Sequence, residues 1–269
     1  LTLSEIQSEV NSSYPITGNG LVLSYSFESN FTNATGNYTY DTNNLVAGQI
    51  NGSFNFNGVN TVVSNSTSAT PVLTNAGTIS YWFKWVKKNT GSNSRPVDKN
   101  GNYYMEIIEA SNRIDCSFQG LSDNYLVGTG TNLVENTWTF VTCVYNGTNV
   151  SIYKDGQFVI GEPSTGSITS TASTFRIGSE GGTRWFNGSI DDVRIYNASL
   201  SQTQITALYN AGAYRIYNYT SSNGNGSINL PLTNTGLVNM SLTSTANGGY
   251  YQSWAINHNT NVDYLNTMA

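Results

Sequence analysis

Charge is what this sequence has least of. Only 10% of its 269 residues are Asp, Glu, Lys or Arg, against about a quarter in ordinary soluble domains. Its polar surface must therefore be built from Asn, Ser, Thr, Gly and Tyr. The 11 basic residues are scattered and the formal net charge is −5, so no basic stripe exists to neutralise a phosphate backbone, and nucleic acid is excluded as a partner. Long apolar runs are missing too. Gly20 to Phe27 and Phe140 to Tyr145 fall far short of the ~20 residues a transmembrane helix needs, so no transmembrane segment is expected. The single histidine, His258, lies in an Asn-rich stretch, and no Gly-x-Ser-x-Gly elbow is present, which leaves no support for a His-based nucleophilic site. Leu1 to Val10 has neither a basic nor an apolar leader region and starts without Met; it reads as a processed product.

What is present is a succession of short strand-like runs: Leu21 to Phe27, Ser53 to Phe56, Thr78 to Val86, Tyr103 to Ile108, Arg113 to Phe118, Trp138 to Tyr145, Val150 to Tyr153, Phe175 to Gly178 and Asp191 to Tyr196. Turn signals such as Asn146-Gly147 and Asp155-Gly156 separate them and supply the left-handed positions that tight hairpins require. The pattern predicts an all-β, antiparallel two-sheet sandwich. One helix is expected after the last run, from Leu200 to Gly212, capped by Ser199 or Ser201 and packed on a sheet edge. Residues 1–20 read as an N-terminal extension, 21–213 as the sandwich and 214–269 as a small β-rich C-terminal extension. Neither extension carries enough large apolar side chains to hold a core alone.

Two cysteines are present, Cys116 and Cys143. Period-two alternation puts Cys116 on one face with Ile114 and Phe118, and Cys143 with Val141 and Tyr145, so both point at the core. Paired, they would close a loop of about 28 residues, worth roughly 3 to 4 kcal/mol; the competing reading is two buried free thiols. About 13 Asn-x-Ser/Thr sequons occur, where a chain this rich in Asn, Ser and Thr would show about 9 by chance. Asn30, Asn33, Asn37, Asn65, Asn146, Asn197 and Asn218 are candidate glycosylation sites. Composition, sequons and cysteines together lead to the expectation of an extracellular or cell-surface glycoprotein.

The order Leu23-Ser24-Tyr25-Ser26-Phe27-Glu28, Phe54-Asn55-Phe56-Asn57-Gly58, Thr78-Ile79-Ser80-Tyr81-Trp82-Phe83, Trp138-Thr139-Phe140-Val141, Ile152-Tyr153-Lys154-Asp155-Gly156, Arg176-Ile177-Gly178 and Phe186-Asn187-Gly188-Ser189-Ile190-Asp191-Asp192-Val193-Arg194-Ile195-Tyr196 resembles the laminin-G-like, concanavalin A-like lectin and glucanase domains. The resemblance covers roughly residues 20–213 and implies a jelly roll. It also implies a candidate structural Ca²⁺ site, because Asp41 with Asn43 falls at the family's acidic loop and Asp191 with Asp192 at the acidic pair of its last strand. Calcium takes six to eight hard oxygen ligands at about 2.4 Å; the competing reading is an Asx-turn at Asp41 and ordinary surface acids at 191 and 192.

Glycosidases place two carboxylates across the scissile bond. The nearest candidates on one strand, Glu106 and Glu109, are three residues apart and fall on opposite faces, so no enzyme activity is expected. Sugar recognition needs an aromatic ring bordered by hydrogen-bonding groups, for which Tyr125, Arg184 and Trp185 are the loop candidates. Trp82 and Trp138 match apolar family positions and are expected in the core. Two functions follow. The first is a non-catalytic surface subunit for adhesion or for assembly of a fibre, layer or coat, whose partners are other copies of itself or other surface proteins. The alternative is a recognition module for carbohydrate or protein.

Overall fold

The computed structural model describes residues 20–27, 38–39, 44–50, 52–65, 71–88, 90–213, 216–217, 239–240, 254–258 and 261–265. By contacts in space the chain divides into two units, Leu1–Gly212 and Ala213–Ala269. The first begins with β1 (Leu21–Tyr25), β2 (Tyr38–Thr39), β3 (Leu45–Ala47), β4 (Gly52–Asn57), β5 (Val63–Asn65), β6 (Gly77–Trp85) and β7 (Ser94–Lys99). It continues with β8 (Tyr103–Ile108), β9 (Arg113–Phe118), β10 (Tyr125–Leu126), β11 (Trp138–Tyr145), β12 (Asn149–Lys154), β13 (Gln157–Pro163), β14 (Phe175–Ile177) and β15 (Asn187–Tyr196), and closes with helix α1 (Gln202–Ala213).

The strands form two sheets. One has the order β13-β12-β11-β6-β15-β4-β3 with β1 also on β15, and the other the order β10-β9-β8-β7-β14-β5-β2. All pairings in both are antiparallel. This is the expected concanavalin-like jelly-roll sandwich. Alternation sets the core: Ile79, Tyr81, Phe83 and Trp85 of β6 face Tyr103, Met105 and Ile107 of β8 and Ile114, Cys116 and Phe118 of β9 in one buried cluster. Cys116 and Cys143 are fully buried and joined as a disulfide between the two sheets, with Cα atoms 6.4 Å apart.

The outward face of β6 carries Thr78, Ser80, Trp82 and Lys84, and its one aromatic is covered as well. Trp82 points away from the core and packs at 5.2 Å from Phe140 and 5.5 Å from Tyr209 of α1. The helix therefore lies on the outer face of the first sheet rather than on its edge, because the outward aromatics Trp82 and Phe140 need cover. Gly212 permits this approach: a Cβ there would stand 2.3 Å from Trp82 Nε1. The helix starts with a reciprocal cap in which Ser201 N donates to Gln204 Oε1 (2.9 Å) and Gln204 N to Ser201 Oγ (3.3 Å), satisfying two otherwise orphaned donors. Trp138, expected in the core, is half-buried with Lys84 Nζ over its ring at 5.5 Å.

β2, β3, β5, β7, β10 and β13 are absent from the strands expected above. β7 contains Pro96 together with Arg95 and Asp98, a composition that argues against a central strand. The proline is accommodated by a register shift between Ser94 and Val97 against β8. In the second unit, Ile216–Tyr217 pairs in parallel with Asn239–Met240, and Trp254–His258 forms an antiparallel hairpin with Asn261–Leu265. The strand expected around Ile228 to Leu232 and the apolar positions of residues 1–19 lie outside the described residues.

Candidate functional site

Because side chains alternate along a strand, the inward set on the second sheet fixes an outward set. With Val97, Tyr103, Met105, Cys116, Phe118 and Ile177 in the core, the opposite face carries Asp98, Tyr104, Glu106, Asp115, Ser117 and Arg176. Register aligns them. Arg176 pairs with Asp98, Asp98 with Tyr104, Tyr104 with Ser117, and Ser117 with Tyr125. Five strands thus contribute one row, about 19 Å long at ~4.8 Å per strand. A second row sets Glu106 opposite Asp115.

Ion pairs lock this face. Arg95 Nη1 donates to Asp98 Oδ1 (2.9 Å) and Glu180 Oε1 (2.6 Å), and its guanidinium lies 3.6 Å from the centre of the Tyr104 ring, a cation–π contact. Arg184 pairs with Glu106 and, at 2.9 Å, with Glu180. Asp115 accepts from Arg113 Nε (2.9 Å) and Nη2 (3.2 Å), from Gly128 N (2.7 Å) and from the Tyr125 hydroxyl (2.5 Å). Asp98, Asp115, Glu106 and Arg95 are all buried. Burial pushes Asp98 up to about 6, against the opposing pull of Arg95. Burial, followed by the bond to Asp115, holds the Tyr125 phenol well above its ordinary range, so it stays a neutral donor. Four of the chain's six arginines and four of its 16 acids meet on or beside one sheet face in a protein that otherwise avoids charge.

The loop candidates divide. Tyr125 and Arg184 belong to this face. Trp185 is half-buried and contributes its main chain elsewhere, its carbonyl oxygen accepting from Lys88 Nζ and Ser94 Oγ. Glu109 is separated from Glu106, bound by Ser94 Oγ (2.8 Å) and Lys88 N (3.1 Å). The acids that do share a face, Glu106 and Asp115, sit on adjacent strands, a pairing that spacing along one strand cannot reveal. Arg95 and Asp98 were missed with β7. The signal available for them was the collection of rare charges at alternate positions of neighbouring polar runs.

The acidic pair of β15 makes contacts within the fold. Asp191 Oδ2 accepts from Ile50 N (2.8 Å), and Asp192 pairs with Arg194 Nε at 2.9 Å, at a bulge where Asp192 adopts φ 47°. No cluster of three or more metal-binding side chains occurs among the described residues; Asp41 and Asn43 lie outside them. Of the sequon residues, Asn146 and Asn197 are exposed, the former closing a turn through bonds from Thr148 and Asn149. Asn65 belongs to β5, while Asn30, Asn33, Asn37 and Asn218 lie outside the described residues.

Residues 56–206 match the family described as the concanavalin A-like lectin/glucanases superfamily. The match spans more than half of the chain, and the chain belongs to that family. Among solved structures, domain 4 of AbnA, a GH43 extracellular arabinanase from Geobacillus stearothermophilus, in complex with arabinotriose, is 19% identical. The similarity covers 71% of this chain and 98% of that one, with a TM-score of 0.54. The binding domain of Paraclostridial Mosquitocidal Protein 1 is 17% identical, covering 72% and 52%, with a TM-score of 0.59. The botulinum neurotoxin serotype D ligand binding domain, in complex with N-acetylneuraminic acid, is 15% identical, covering 75% and 53%, with a TM-score of 0.59. The chain thus spans about half of the toxin domains, and at these identities the likeness is one of fold. No curated protein sequence matches this one. Among the described residues no helix is long and apolar enough to cross a membrane.

Proposed function

We propose that this chain is a non-catalytic carbohydrate-recognition module of a secreted or surface protein, with its glycan lying over Arg176, Tyr104 and Tyr125, the partly exposed members of the row, above the buried Asp98 and Ser117. The observation that carries this reading is the concentration of arginines, carboxylates and two tyrosines on one sheet face of a charge-poor chain. Alternating guanidinium and carboxylate groups match the donors and acceptors of sugar hydroxyls, and the rings supply apolar contact. The ion pairs hold these groups in place before any ligand arrives, so little side-chain entropy remains to be lost on binding. The charges on the face balance, so it lacks the excess of basic groups that a phosphate backbone requires. That neighbours of the same fold are described with arabinotriose and N-acetylneuraminic acid supports the choice of ligand class.

The absence of catalysis is part of the proposal. Glu106 and Asp115 are both engaged by arginine, so their oxygens are held by fixed partners within the face rather than offered across a scissile bond. Assembly through the terminal segments is the weaker reading, since it rests on residues 1–20 and 214–269, and the family resemblance favours a binding module. Screening the protein on a broad glycan array, then titrating the best hit, tests the proposal. Tyr125→Ala and Glu106→Gln should each weaken binding at least about tenfold, the loss of one hydrogen bond to or from a charged group. A folded protein that ignores every glycan on the array would refute it.

A further inference from the structure

Five of the six arginines fall among the described residues, and four of them hold a carboxylate: Arg95, Arg113, Arg184 and Arg194. Arg176 does not. Its one hydrogen bond among the described residues runs from Nη1 to Thr174 O at 3.4 Å, long and poorly able to satisfy a guanidinium with five donors. It stands at one end of the row, with Asp98 its register partner on β7 and Ser64 its partner on β5. Its guanidinium lies beside the bend at Gly181 and Gly182. A Cβ at Gly181 would be 3.7 Å from Arg176 Cζ, so the glycine there leaves that approach to the guanidinium open.

A second observation falls at the same place. Asp98 is wholly buried, yet its Oδ2 has no hydrogen-bond partner among the described residues. Buried polar atoms in native proteins are nearly always paired, and an exception calls for a functional account. The groups that face Asp98 are Arg95 on its own strand, Tyr104 and Glu106 on β8, Arg176 on β14 and Glu180 beyond it.

Resting on the reading of this face as a glycan site, we propose that the Arg176–Asp98 end of the row is a subsite for a sugar residue that carries a carboxylate, of the uronic or sialic acid class. A guanidinium is the side chain that takes a carboxylate by two parallel hydrogen bonds. Asp98, buried beneath Arg176's end of the row, acts on the anion through its charge: protonated, it leaves the guanidinium's charge to the ligand. When ionised it repels the anion, and burial raises Asp98 to about 6, so the subsite accepts its ligand more readily in mild acid. The net charge of −5 does not decide the matter, because distant charges are screened over about 8 Å at physiological salt whereas Arg176 would touch the ligand.

The experiment compares matched pairs by calorimetry with the full chain: oligogalacturonide against neutral galacto-oligosaccharide, and sialyllactose against lactose, each at about pH 5 and about pH 7.5. Whichever pair is recognised names the acid class. The expected result is an acidic member bound roughly tenfold more tightly than its neutral counterpart, the preference being larger at the lower pH. Arg176→Gln should erase that preference, whereas Tyr125→Ala should weaken both members; melting temperatures report whether each variant is folded. Equal binding of acidic and neutral members, or a preference that survives Arg176→Gln, would overturn the acidic subsite and leave glycan recognition standing. Failure to bind any member, confirmed on the glycan array, would overturn both.

Discussion

Asp98→Asn removes a charge that the fold keeps out of water while leaving an oxygen to accept from Arg95. The carboxyl is raised in the folded protein from 3.8 to about 6, chiefly by burial. Because the folded value lies above the unfolded one, the stability Asp98 contributes is fully present below the unfolded value and is lost as the pH climbs through about 6. A shift of roughly two units corresponds to about 3 kcal/mol, of which roughly 2 kcal/mol falls between pH 4.5 and pH 7.5. The asparagine variant lacks this titration, while the other acids are common to both proteins and cancel in the difference. Urea unfolding followed by tryptophan fluorescence, for both proteins at several values across that range, measures it. The stability of the variant relative to the native protein should rise by roughly 2 kcal/mol from the acidic to the alkaline end. Parallel pH profiles would show that Asp98 is hydrated or compensated, and would refute the reasoning from its burial.

Three further outcomes are expected. Peptide mapping without reduction should recover Cys116 and Cys143 as one linked pair, and the double alanine variant should lose about 3 kcal/mol of unfolding free energy, the loop-closure value for a separation of this size; free thiols in the native protein would contradict the joined sheets. Gly212→Ala should lower stability by roughly 1 to 3 kcal/mol, as overpacking against a rigid ring does, because its methyl group would press into Trp82. An unchanged melting temperature would mean that α1 does not sit on the outer face of the sheet. Incubation with arabinan, β-glucan or pectin should release no reducing ends, and turnover abolished by Glu106→Gln or Asp115→Asn would overturn the non-catalytic reading.

Within single strands the sequence was informative, because side-chain direction there is a matter of counting by two. Counting put Cys116 and Cys143 at the core and separated Glu106 from Glu109. The Asp155-Gly156 turn was equally legible: it requires left-handed backbone, and the structure has φ 50° and 75° at these positions. The composition signal that set charge apart as scarce also marked where to look, once the scarce residues were found together.

What alternation could not supply is which strands are neighbours and in what register. Arg95, Asp98, Glu106, Asp115, Arg176, Glu180 and Arg184 meet across separations of up to 89 positions in the sequence, and only the strand order β10-β9-β8-β7-β14 makes them one face. The strand that carries Arg95 and Asp98 was hidden by Pro96, whose missing N–H argues against a central strand until a bulge is allowed for. The position of α1 was hidden in the same way. A lone aromatic on an otherwise polar outward face does not say what covers it, and whether Trp82 meets a helix or a second sheet depends on how the chain returns. Local residue chemistry therefore determined the strands, the turns and the inward set, while long-range pairing decided the outward face, because hydrogen-bond register is a property of two strands and is written in neither one alone.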